Sequence, residues 1–113
     1  MTVGELAEKL ALTELSGCTE DSLCAEVCGC YIGDLLSWVM GRATEGDAWI
    51  TVMGNINAVA VASLTGCACI ILSEDAELDD DARSRSEDLE IPIFSSPRSS
   101  YRLAAEISNK CNL

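Results

Sequence analysis

Two hydrophobic periods alternate along this chain. At its start Val3, Leu6, Ala7 and Leu10 fall on one helical face, and Thr2 and Glu5 have capping-box spacing, which predicts a helix ending before Leu12. A Cys-rich, irregular stretch follows from Leu15 to Ala25, where Ser16-Gly17 marks a turn and Cys18 to Ser22 reads as a loop. Glu26 to Ile32 alternates and lacks helix formers, the pattern of a strand. Gly33-Asp34 then opens a helix with Leu35, Leu36, Val39 and Met40 apolar. Ala48 to Met53 is a short apolar run between Gly46-Asp47 and Gly54-Asn55, as in a strand buried on both faces. Asn55 to Leu64 reads as a buried helix stopped by Gly66, and Ala68 to Leu72 as the next strand. Asp79 to Glu90 turns only Ala82 and Leu89 inward and has acids at its start, so it reads as a surface helix. Ile91 to Phe94 is a short strand that Pro92 places at a sheet edge or a strand start. Ser96-Pro97 begins the last helix, with Pro97 in its first position and Tyr101, Leu103, Ala104 and Ile107 apolar.

This alternation predicts an α/β fold of three layers: a mainly parallel sheet with right-handed crossovers and helices on both faces, preceded by an N-terminal helix and a Cys-rich appendage. The length of 113 residues suits one domain, 1–113, with its core at about 26–107. A hydrophobic fraction of 49% with 4% aromatic means the core is built from Val, Ile, Leu, Ala and Cys. Seven basic residues against nineteen acidic give a net charge of -12, which repels phosphate backbones and anionic membranes; neither nucleic acid nor membrane is expected as a partner. The start lacks the basic and apolar regions of a signal peptide, and no apolar run approaches the roughly 20 residues of a membrane span, so a cytoplasmic location is expected. Seven cysteines are an odd number, and thiols stay reduced there, which argues against a disulfide framework.

Gly33-Asp34-Leu35-Leu36, Gly46-Asp47-Ala48-Trp49-Ile50-Thr51 and Glu90-Ile91-Pro92-Ile93-Phe94-Ser95-Ser96-Pro97, with the order of segments, resemble the DRTGG domain family over about Val3 to Ile107. That family is similar to the N-terminal domain of bacterial HPr kinase/phosphorylase, and it occurs beside CBS domains in regulated pyrophosphatases and in some phosphotransacetylases. The resemblance implies a regulatory or oligomerising module. Stand-alone members resemble proteins encoded near iron-only hydrogenases, which implies a redox setting. One departure stands out: Gly54-Asn55-Ile56-Asn57 occupies the place of a Gly-Asp-Arg type turn and offers a phosphate neither that acid nor that base. No Gly-x-x-x-x-Gly-Lys-Ser/Thr loop occurs either.

Absence of histidine removes the commonest general base and metal ligand, so a non-enzyme without a cofactor is expected. Ligands of open parallel sheets bind beyond the carboxyl ends of the strands, where this chain places Gly33, Asp34, Gly54, Asn55, Asn57, Ser73, Ser95, Ser96, Arg98, Ser99 and Ser100. Hydroxyls, free N–H groups and Arg98 at the last helix start could hold a small anion; alternatively Ser96 only caps the helix and Arg98 pairs with an acid. A second class of reading uses Cys24, Cys28, Cys30, Cys67 and Cys69 as a metal or redox site, against their packing as small hydrophobes with Cys28 and Cys30, or Cys67 and Cys69, on one strand face. Cys18 and Cys111 are expected to be exposed. Glu74, Asp75, Glu77, Asp79, Asp80 and Asp81 read as a solvated face rather than a Mg²⁺ or Ca²⁺ site, since EF-hand spacing is missing. The chain is thus expected to work as a homodimeric regulatory or interaction module whose partners are itself, another protein or a small anionic ligand.

Overall fold

Thr2 caps the first helix, α1 (Val3–Lys9): its hydroxyl accepts from the Glu5 N–H, and the Glu5 carboxylate accepts from the Thr2 N–H at 2.9 Å. The computed structural model describes residues 1–113. After α1 come β1 (Thr13–Ser16), α2 (Glu20–Leu23), β2 (Gly29–Ile32), α3 (Leu36–Arg42), β3 (Asp47–Thr51), α4 (Ile56–Thr65), β4 (Cys69–Leu72), α5 (Asp80–Leu89), β5 (Ile93–Ser95) and α6 (Ser100–Cys111). The sheet order is β1-β5-β4-β3-β2; β2 to β5 run parallel, and β1 joins β5 antiparallel.

Each crossover from β2 to β5 steps to the adjacent strand in one direction, so right-handedness puts α3, α4 and α5 on one face. There Trp49, Ile70, Leu72 and Ile93 meet Val39, Val59, Ala62 and Ala82. The opposite face carries Ala48, Ile50, Cys69, Ile71 and Phe94 against Val3, Leu6 and Leu10 of the first helix region and Leu103 and Ile107 of α6. The predicted three-layer α/β fold is the observed one. β3 is buried along its whole length, as its continuous apolar run requires. Asn55 caps α4 by accepting from the Ala58 N–H, and Gly66 ends it at φ 73°, where a side chain would be strained.

Three local expectations are corrected, and one left open is decided. The stretch taken as an appendage supplies an edge strand, β1, and a single helical turn, α2, capped by Thr19. Of the two places offered for Pro92 the strand start is the observed one: it directly precedes β5, which lies inside the sheet between β1 and β4, and the Pro92 carbonyl accepts from the Ile70 N–H. α6 starts at Ser100 with Ser99 as its cap, so Pro97 lies outside the helix and Ser96 does not cap it. Gly33-Asp34 stops short of α3, whose cap position is Leu35, without a side-chain bond. No helix is long and apolar enough to cross a membrane.

Candidate binding site

At the carboxyl end of the sheet α5 and α6 leave β4 and β5 toward opposite faces, which is where an open sheet parts to admit a ligand. Here the opening is laced shut. The N–H groups of Glu74 and Asp75 donate to the Arg98 and Ser96 carbonyls, the Ser96 N–H donates to Leu72, and the Ser73 and Ser100 hydroxyls bond at 2.9 Å. Glu74 and Asp75 adopt φ of 56° and 53° to make this closure.

Most of the groups singled out from sequence are engaged by the fold itself. The Asp34 carboxylate accepts from the Thr51 hydroxyl at 2.7 Å and the Val52 N–H at 3.0 Å, while the Gly33 carbonyl accepts from the buried Trp49 indole at 2.9 Å. At Gly54 a Cβ would run into the Glu77 carbonyl; the glycine serves a close loop approach, fixed by the Asp79 N–H donating to the Gly54 carbonyl. Asn55 and Ser99 are helix caps, and Asn57 is exposed. Arg98 donates to the Leu10 carbonyl at 2.6 Å, and its Nε lies 2.9 Å from Glu106 Oε2; the Ser96 hydroxyl accepts from the Arg98 N–H. The one cation of the expected anion site thus holds α1 and α6 together. Ser95 lines a cavity of about 330 Å³ with Leu15, Asp75, Glu77 and Arg83, whose guanidinium donates to the Leu15 carbonyl.

The larger cavity, about 490 Å³, opens at the other end of the sheet, where β2 to β5 begin. Its rim consists of chain just before each strand: Cys28, Gly46, Cys67-Ala68 and Ile91-Pro92. Gly46, at φ 87°, makes room, since a Cβ there would lie 2.7 Å from the Cys28 sulfur. Glu26, Glu45 and Glu90 line the cavity, and no basic side chain does. Glu26 pairs with the N-terminal ammonium at 3.2 Å, and Glu90 accepts from the Thr19 hydroxyl at 2.7 Å, which leaves Glu45 without either kind of contact. α4 and α5 end at this rim, through Gly66 and Glu90, and turn their negative dipole ends toward it. Sequence reasoning missed the site because it looked at the opposite strand ends; the signal was the small residue before β3 and β4, Gly46 and Ala68.

The cysteines divide among separate surroundings. Cys69 is fully buried and Cys30 half-buried in the core beneath α1 and α6, where Cys18 and Cys111 also pack, correcting their expected exposure. Cys67 precedes β4 and packs on the opposite face from Cys69, so the two do not share a strand face; Cys24 and Cys28 are exposed. No three Cys, Asp or Glu side chains converge as a metal-ligand set, so the proposed grouping of Cys24, Cys28, Cys30, Cys67 and Cys69 is not assembled. Burial, with Asp47 adding, pushes the Cys30 thiol up to about 11, and burial, with Glu14 adding, does the same for Cys18. Burial drives Cys69 higher still, reinforced by Cys67, Cys30 and Cys18, and it also raises Cys67. These thiols are held protonated, the opposite of a poised nucleophile.

No protein-family model and no curated protein matches the chain. Among solved structures it is similar to the CBS and DRTGG domains of the regulatory region of Clostridium perfringens pyrophosphatase, solved with its activator diadenosine tetraphosphate. The TM-score is 0.74 at 11% sequence identity, over 94% of this chain and 45% of that one. The likeness shows a shared fold, and this chain spans less than half the length of its neighbour.

Proposed function

We propose that this chain is a non-catalytic regulatory module of DRTGG type that acts by binding, both to itself and to a small ligand at the amino end of its sheet. The fold shared with a regulatory region supports the first half of that reading. The observation that carries the second is the cavity of about 490 Å³, within the roughly 300–1,000 Å³ usual for small-molecule sites. Three carboxylates, one of them already paired with the N-terminal ammonium, the ends of two helices and a lining without basic side chains set its ligand preference: a small molecule bearing an ammonium or guanidinium group, with an apolar part against Ala25, Ala68, Ile91 and Pro92. Diadenosine tetraphosphate is a polyanion, and such a ligand is repelled here. The neighbour's activator is therefore not assigned to this chain.

The test is an NMR titration of the ¹⁵N-labelled chain with agmatine, putrescine and ATP in parallel. An amine is expected to shift the amides of Cys28, Gly46 and Ala68, and Glu45→Lys is expected to abolish the effect. If ATP shifts the Ser95–Ser99 turn while the amines shift nothing, the ligand site belongs at the carboxyl end and this assignment is wrong.

A further inference from the structure

We propose that the corner formed by β2 and the start of α3 is an interface with a second copy of this chain. Ile32, Leu35 and Trp38 stand 46%, 59% and 55% exposed there, and Val52, 40% exposed, is drawn beside them because its N–H donates to Asp34. Together they leave apolar area on the order of 400 Å², the size of the largest patches on monomers and about half of the roughly 800 Å² that each partner contributes to a standard interface.

The two edges of the sheet differ in a way that points to the same corner. Free edges are ordinarily guarded by charges, prolines or bulges. β1 has such guards, Glu14 and an irregular register between Glu14 and Ser16. β2 has none: Gly29, Cys30, Tyr31 and Ile32 are uncharged and regularly paired on their inner side, and no strand lies beyond them.

Charge selects a second copy as the occupant. With a net charge of -12, two copies repel each other over most approaches. Between Val27 and Ala43, however, the only charged residues are Asp34 and Arg42, and the Arg42 guanidinium lies 4.0 Å from the Trp38 ring centroid. The patch is therefore neutral and carries one charge of each sign. A two-fold arrangement sets Arg42 of each copy toward Asp34 of the other, the self-complementarity that an isologous interface needs.

The proposal rests on the reading of the chain as a binding module, and its test is separate from the amine titration because it reads mass. Sedimentation equilibrium of the full chain is expected to give a two-chain mass. Leu35→Asp and, independently, Trp38→Gln are expected to weaken association about 30-fold or more, as at interface hot spots. Tyr101→Ser, at an 82%-exposed aromatic on α6, should leave it intact. Since Trp49 is fully buried, a concentration-dependent blue shift of tryptophan emission reports burial of Trp38. Both variants lie at exposed positions and are checked for folding by circular dichroism. A monomer at every concentration, or a dimer that Trp38→Gln leaves unchanged, overturns the proposal.

Discussion

The Cys69 thiol sits at zero exposure under α1 and α6, among apolar neighbours that cannot solvate a thiolate. Its folded-state pKa is raised while the unfolded thiol titrates near 8.5, so above that pH the unfolded chain releases a proton that the folded chain keeps. Stability is fully present below about pH 8.5 and falls as pH rises toward the folded-state values, by about 1.4 kcal/mol per pH unit for one such thiol. Cys30 and Cys18, each raised to about 11, add to the slope in the same direction. Thermal melts between pH 7.5 and pH 10 should show this fall, and Cys69→Ala should flatten part of it; equal slopes for the two proteins would mean that Cys69 ionises freely in the fold.

Arg98 acts between elements. Its guanidinium reaches the carbonyl that ends α1 and the Glu106 carboxylate on α6, so replacing it leaves the carbonyl without its donor and the half-buried carboxylate with only Lys110, 3.3 Å away. Arg98→Ala should cost about 1–3 kcal/mol in urea unfolding, and Arg98→Lys should recover only part, because one ammonium does not match the fork of a guanidinium. An unchanged urea midpoint would show the guanidinium to be free for a ligand. The elements that sequence made legible are those whose signals are local: the Thr2-Glu5 box of α1, the continuous apolar runs of β3 and β4, and the Asn55 and Gly66 bounds of α4. β1 was illegible because Thr-Glu-Leu-Ser has little pattern of its own and becomes a strand only through pairing with β5, far along the chain. The start of α6 was misplaced because Ser96 and Ser99 give the same capping signal, and only the fold buries one and frees the other. The candidate site was least legible. Asp34, Gly54, Asn55 and Arg98 are polar or glycine for reasons of closure and capping, and a one-dimensional reading does not separate such roles from ligand contacts.

At the scale of the whole molecule, charge is the dominant departure from an ordinary domain. Nineteen acids and seven bases share 113 residues, and only Glu106 and the Glu26 pair with the N-terminus form ion pairs. Self-repulsion therefore opposes the compact state at low ionic strength. Raising salt from about 0.01 M to about 0.15 M, which shortens the screening length from about 30 Å to about 8 Å, should raise the melting temperature. A flat or falling curve would mean that the carboxylates are too dispersed to strain the fold.

The sequential strand order has a kinetic consequence. Each βα unit from β2 onward docks beside the one just made, so this part of the sheet can grow in the order of synthesis without distant closures. β1 is the exception: Thr13 pairs with Ser95, so the strand translated first has no seat until the strand translated last has arrived. Growth of the nascent chain must therefore carry an unpaired leading segment, and final locking of the domain waits on the completion of β5.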